Sequence, residues 1–355
     1  MITLALDIGG TKFAAAHITP DGALLAHAER PIGPDPAATL GDLVADFAVP
    51  GLTAVGIGSA GPLNVLAGTV SPVNIPAWRG FPLVDTVYRA TDLPVFLAGD
   101  AQCMAAGEWW LGGHDVSSLL GIVVSTGIGG GLVLNGDPLL GATGNAGHIG
   151  HVIIDRDGEP CPCGARGCLE TIASGPSMVR WARAHGWNGQ TAFDLAAGAR
   201  SGHITALSAF NRAADALATA ICNTAAVLDV HDVVIGGGVA ATGDLLLSPL
   251  RRALATRAGM DFLQDITVTG TTLGRNAGLY GAAALALQTE GAPPATRSRP
   301  AVDAVEESVA AGGLQGLVSD EPPVVEHDDA IAAGGDLRVV RLAQPQQQVG
   351  ASKTG

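Results

Sequence analysis

Lysine is almost missing from this chain. Lys12 and Lys353 are the only two among 355 residues, and the other basic side chains are arginines. A polyphosphate ligand would therefore have to be held mainly by backbone amides and a metal ion. Aromatic residues make up 4% and charged residues 15%, and 33 acidic against 19 basic side chains give a net charge of −14. That acidity argues against nucleic acid or an anionic membrane as partner. No run approaches the ~18 uninterrupted apolar residues of a membrane helix. Met1–Leu6 has no basic flank and runs into Asp7, unlike a secretory signal. The chain is expected to be cytoplasmic.

Glycine is what the chain has in excess: 50 residues, about twice the usual ~7%. They follow no period of three, which excludes collagen. With 47% hydrophobic residues the chain is globular, and its length allows roughly two domains of about 150 residues. Between residues 1 and 289 strand and helix patterns alternate. Strands are expected at Ile2–Asp7, Lys12–Ile18, Ala54–Gly58, Val95–Ala98, Leu119–Ser125, Gly129–Leu134, Asp232–Ile235 and Ile266–Thr271. Helices are expected at Leu40–Phe47, Ala101–Leu111, Ala206–Leu228, Leu245–Ala258 and Ala277–Leu287. This is the pattern of an α/β protein with helices packed on a buried sheet.

The last aromatic residue is Tyr280. From Glu290 to Gly355 the chain carries Pro293–Pro294, Pro322–Pro323 and ten acidic against five basic residues. Without aromatic anchors such a segment does not easily offset its ordering entropy. Residues 290–355 are expected to be a mostly disordered acidic tail, with Leu337–Leu342 as a short strand and a docking peptide as the functional alternative.

Two strand–turn–strand units echo each other about 120 residues apart: Asp7-Ile8-Gly9-Gly10-Thr11-Lys12 and Ser125-Thr126-Gly127-Ile128-Gly129-Gly130. They fit either a duplicated domain with a cleft between the copies or two unrelated hairpins. Glycine after a strand lets backbone N–H groups approach phosphate oxygens with no Cβ in the way. Asp7 is placed to hold Mg²⁺, an ion that takes a few carboxylates and phosphate oxygens. Thr11 and Thr126 add hydroxyls, and Gly236-Gly237-Gly238 offers bare backbone to a flat ring or ribose. No Gly-Lys-Ser/Thr P-loop and no Gly-x-Gly-x-x-Gly occurs at these three turns, which excludes the P-loop and Rossmann readings there.

His151, Cys161, Cys163 and Cys168 form the most specific local signal. One His and three Cys make a complete tetrahedral set, which suits a structural Zn²⁺ and leaves no position for a reactive water. Cys103 and Cys222 lie on Ala-rich helical stretches and read as small core residues.

Seven ordered motifs over residues 2–289 resemble the ROK family of sugar kinases and regulators. They are the Asp7–Lys12 turn, Ser59-Ala60-Gly61-Pro62, Asn74-Ile75-Pro76-Ala77-Trp78 and Gly99-Asp100-Ala101-Gln102 with Gly107-Glu108. The Ser125–Gly131 turn, Ala146-Gly147-His148-Ile149-Gly150-His151 with the cysteine cluster to Glu170, and Val234–Gly238 complete the set. The resemblance implies an actin/hexokinase-like (ribonuclease H-like) α/β fold, duplicated, with an interdomain cleft and a zinc knuckle. The expected division is 1–115, an N-terminal domain with Asp100, and 116–289, a C-terminal domain with the zinc knuckle and the adenosine motif.

The same resemblance implies ATP- and Mg²⁺-dependent phosphorylation of a hexose hydroxyl, usually on C6, in a homodimer or homotetramer. Asp100 would be the general base. Asp7, Gly9, Gly10, Thr11, Lys12, Thr126, Gly127 and Gly236–Gly238 would serve the nucleotide and its metal. Gly61, Asn74, Asp100, His148, His151 and Glu170 would hold the sugar, with one ring nitrogen of His151 on zinc and the other toward the sugar. Many family members carry Glu where this chain has His148, and the motif Ala-Gly-His-Ile-Gly-His looks like that of the bacterial N-acetylmannosamine kinases. The residue before the base is normally Asn, and here it is Gly99. Glucokinase of the same family is the alternative activity. A sugar-binding regulator is disfavoured, since repressors carry a helix-turn-helix ahead of the first phosphate motif and here that motif starts at residue 7.

Overall fold

The computed structural model describes residues 2–287. The expectations for residues 290–355 lie outside the described residues. In chain order the first half contains β1 (Ile2–Ile8), β2 (Lys12–Ile18), β3 (Leu24–Pro31), α1 (Pro36–Phe47) and β4 (Leu52–Ser59). There follow β5 (Leu63–Asn64), β6 (Thr69–Val70), α2 (Leu83–Thr91), β7 (Val95–Gly99) and α3 (Asp100–Leu111). The second half begins with β8 (Leu119–Val124), β9 (Ile128–Leu134) and β10 (Asp137–Pro138). Helices α4 (Glu170–Ala173), α5 (Gly175–Ala184), α6 (Ala192–Arg200) and α7 (Ile204–Leu228) come next. The fold closes with β11 (Asp232–Gly236), α8 (Asp244–Arg257), β12 (Thr267–Gly270) and α9 (Ala277–Leu287).

The strands form two five-stranded sheets of the same plan, ordered β3-β2-β1-β4-β7 and β10-β9-β8-β11-β12. In each, three strands meander antiparallel and two more join in parallel to the first of them. The two turns that echo each other in sequence, after β1 and after β8, therefore occupy equivalent places in duplicated sheets. Both follow the first strand of their sheet, and in an open α/β sheet ligands bind beyond the carboxyl ends of parallel strands.

Period-two alternation divides the core. Leu4, Leu6 and Ile8 of β1 face a cluster with Leu40, Leu43 and Val44 of α1 and Leu83 and Val87 of α2. Ala5 of β1 faces the other way, into a cluster with Cys103 of α3, Leu119 and Val133 of the second sheet, and Leu279 and Ala282 of α9. Leu120, Ile122 and Val124 of β8 turn outward onto α5 to α8. Helices α3 and α9 thus fill the space between the two sheets. They cross closely: a Cβ on Gly281 would lie 1.6 Å from the carbonyl oxygen of Cys103. Helix α9, which the boundary at 115/116 groups with the second half, packs on β1 and β4 of the first sheet.

The Gly107-Glu108 motif belongs to this crossing. Glu108 is fully buried, and its carboxylate accepts hydrogen bonds from the backbone N–H of Thr272 (3.1 Å) and Leu273 (3.0 Å) and from both threonine hydroxyls at 271 and 272. It ties α3 to the loop between β12 and α9. The spacing Gly56-x-Gly58-x-x-Gly61 matches a dinucleotide fingerprint, but Gly56 and Gly58 lie inside β4, where Gly56 meets the backbone of Ala282. Among the described residues no helix is long and apolar enough to cross a membrane.

Candidate active site

The ends of β1, β4, β7, β8 and β11 carry Asp7, Gly61, Asp100, Thr126–Gly127 and Gly236–Gly238 respectively, as residues at or just beyond the strands. Asp100 is the first residue of α3, and its Oδ1 accepts from the N–H of Ala101 at 2.7 Å. It is exposed to water, yet the protein around it lifts its carboxyl above the ordinary range through desolvation. The Ala101 amide and the charge of His148 oppose that rise. Asp7 is half-buried and is pushed up to about 7, first by desolvation and then by the neighbouring charge of Asp100, with Lys12 pulling it back. A carboxylate raised in part by a second one beside it fits a site for Mg²⁺ beside phosphate.

Lys12 itself reaches across the β2–β3 ladder to Glu29, with Nζ 2.5 Å from Oε1. The expected phosphate contact of Lys12 thus competes with an ion pair that spacing alone does not reveal. Asn74 lies against the first turn, where a Cβ on Gly10 would come 2.6 Å from its amide nitrogen. The loop that carries Asn74 is anchored by Trp78, which is buried and stacked on Phe13 (5.3 Å between centroids) and on Phe81 (4.2 Å). A ring stack on β2 therefore fixes a polar side chain beside the phosphate turn.

At the second turn, Glu170 sits beneath Gly127 and accepts from the N–H of Ile128 at 2.8 Å through Oε2. A Cβ on Gly127 would come 2.8 Å from that oxygen. One carboxylate oxygen of Glu170 is thus spent on holding the turn, and its other oxygen is left for a ligand. Gly237, with φ +94°, turns the end of β11 against the carbonyl of Val124. The structure accordingly brings the 236–238 turn beside the 125–127 turn.

His148 is held by Nδ1, which donates to the carbonyl of Asn145 at 3.0 Å. That bond leaves Nε2 facing Gly61, 3.5 Å from where a Cβ would stand. Asn145 was not singled out from sequence. Its Oδ1 accepts from the N–H of Leu63 (3.0 Å) and its Nδ2 donates to the Leu63 carbonyl (2.7 Å), locking the 145–148 segment onto the chain after Gly61. No local pattern signals a pairing 82 residues apart.

The ligand atoms of His151, Cys161, Cys163 and Cys168 all lie within 4.8 Å of one another. His151 Nδ1 is 3.7 Å from the Cys161 sulfur, and the Cys163 and Cys168 sulfurs are 3.7 Å apart. A tetrahedral zinc with sulfur at about 2.3 Å needs ligand edges of about 3.7 Å, so the donor set fits that ion. Cys168 is pushed up to about 12 by burial and by the neighbouring thiols, the strain that a cation among three thiolates removes. Nδ1 is thus the ring nitrogen of His151 turned toward the sulfurs. His148 and His151 have ring centroids 6.3 Å apart.

Residues 3–289 match the family model described as ROK family. The chain is 35% identical over 294 residues to the N-acetylmannosamine kinase of Yersinia pseudotuberculosis, covering 79% of this chain and 96% of that protein. It is 34% identical over 317 residues to a glucokinase of Halalkalibacterium halodurans, covering 81% and 95%. In three dimensions it is similar to a ROK family glucokinase from Streptomyces griseus crystallised with glucose and AMPPNP, with a TM-score of 0.71 and 31% identity over 81% of this chain and 100% of that one.

Proposed function

The chain belongs to the ROK family and is an ATP-dependent sugar kinase, and within that activity we propose that it phosphorylates the C6 hydroxyl of an N-acylmannosamine. The observation that carries this choice is His148, held by Asn145 with Nε2 toward Gly61 and with its charge felt at Asp100. An imidazole at this position offers one nitrogen that accepts or donates, where a carboxylate only accepts. The 35% identity to an N-acetylmannosamine kinase supports the same reading.

In the proposed reaction Asp100 accepts the proton of the sugar hydroxyl as its oxygen bonds to the γ-phosphorus and the bond to the bridging oxygen of ADP breaks. The raised carboxyl of Asp100 makes it a better proton acceptor than an ordinary aspartate. Asn74, His148, His151 and the free oxygen of Glu170 orient the sugar. The amides of the 9–11 and 126–127 turns face the phosphates, and the bare backbone of Gly236–Gly238 lies under the adenosine. Asp7 would hold Mg²⁺, which when bound would neutralise phosphate charge. His151, Cys161, Cys163 and Cys168 would hold a structural Zn²⁺, which when bound would fix the orientation of the His151 ring beside the sugar site.

Glucose is the second reading, favoured by a glucokinase relative at 34% identity. Initial rates with ATP–Mg²⁺ and a panel of sugars separate the two. The expected result is the greatest kcat/KM for N-acetylmannosamine, by at least tenfold over glucose and mannose. A preference for glucose would assign the chain to the second reading.

A further inference from the structure

Gln102 is buried in the first turn of α3, two residues beyond the base. Its Oε1 accepts from the N–H of Gly99 at 2.8 Å. Its Nε2 donates to the carbonyl of Ala146 at 2.8 Å, with the carbonyls of Leu140 (3.4 Å) and Leu139 (3.5 Å) beside it. One amide therefore grips the backbone on both sides of the site: the residue before Asp100, at the end of the first sheet, and the residue two before His148, in a loop of the second. Resting on the sugar-kinase reading above, we infer that Gln102 is a positioning residue that sets Asp100 against the His148 loop.

Three contacts make this pairing stiff. A Cβ on Gly131 of β9 would come 2.4 Å from the Cα of Gln102, so α3 begins in direct contact with the strand that leaves the 125–127 turn. Gly147, between Ala146 and His148, has φ +86° and lies against the carbonyl of Gly130 on the same strand. Gly99 completes the arrangement, because a Cβ there would stand only 3.2 Å from Oε1 of Gln102. The glycine that replaces the expected asparagine leaves room for the glutamine to close on the backbone. The base consequently rides on the second sheet, although its strand belongs to the first.

A misplacement of about 1 Å at a reacting group costs on the order of 10²-fold in rate. Gln102→Met keeps the shape and removes both polar ends; Gln102→Glu keeps the acceptor for Gly99 and removes the donor to Ala146. Both are assayed with whichever sugar the wild-type protein phosphorylates best, so a wrong assignment of the sugar does not affect the outcome. Gln102→Met is expected to lower kcat by roughly 10- to 100-fold with KM for ATP unchanged, and amide exchange at 146–148 is expected to speed up at least tenfold. Gln102→Glu is expected to share the faster exchange at 146–148 and to keep the protection of Gly99. Exchange reads the positioning even in a preparation with no turnover. A folded Gln102→Met protein with wild-type kcat and unchanged exchange at 146–148, differing only in melting temperature, would overturn the inference.

Discussion

Asp100→Asn is expected to lower kcat by two to four orders of magnitude, the range in which a positioned general base contributes, while the dissociation constant of the sugar stays within a few fold. The asparagine keeps the shape and the hydrogen bond that Oδ1 accepts from Ala101, so α3 still starts at the same residue and only proton acceptance is removed. The pH dependence carries the same claim. The base works ionised, and its carboxyl is raised by desolvation, so the acid limb of kcat/KM is displaced upward from the usual aspartate range. Asp7 is pushed up to about 7, first by desolvation and then by the charge of Asp100. The variant should lose most of its turnover across the whole pH range. Near-wild-type kcat in Asp100→Asn would remove the residue from its role.

The second large effect is expected at the zinc knuckle. Cys161→Ser replaces one buried ligand in a set whose atoms all lie within 4.8 Å. Metal analysis should fall from about one zinc per chain to near zero, because the hydroxyl is a far weaker ligand than a thiolate. The consequence reaches the sugar through two links. His151 loses the partner that fixes its Nδ1, and Cys168 is followed within two residues by Glu170, whose Oε2 holds the Ile128 amide. Turnover of the sugar should drop on the order of 10²-fold, the size of effect seen when the surroundings of metal-bound groups are disturbed, while nucleotide binding at the 236–238 turn changes little. A folded, metal-free protein with full activity would show that the knuckle has no part in the site.

How much of this was legible in the sequence follows from the range of each signal. β1, β2 and the helix behind Asp100 were legible because alternation and turn glycines are local. The zinc set was legible because four ligands, one His and three Cys, within 18 residues define their own chemistry. The duplication was visible only as two similar turns, and strand order in the two sheets is what makes them equivalent. β3, with its regular half-buried alternation over Leu24–Pro31, was missed, as were α2, α5 and α6. These elements pack on the outside of the fold and carry no motif. Lys12, expected at phosphate, also pairs with Glu29, a partner that only the β2–β3 register brings near. Glu170 was expected at the sugar, and one of its oxygens also supports the phosphate turn. Asn145 gave no signal, since its partner Leu63 is remote in sequence.

The central claim, transfer of the γ-phosphoryl group to a sugar hydroxyl of N-acetylmannosamine, is tested most directly by the products. The protein, ATP–Mg²⁺ and an equimolar mixture of N-acetylmannosamine and glucose are followed by ³¹P NMR. The account predicts a phosphomonoester signal split by the C6 protons of N-acetylmannosamine, growing in step with ADP. ADP accompanied only by inorganic phosphate, or glucose 6-phosphate as the main product, would contradict it.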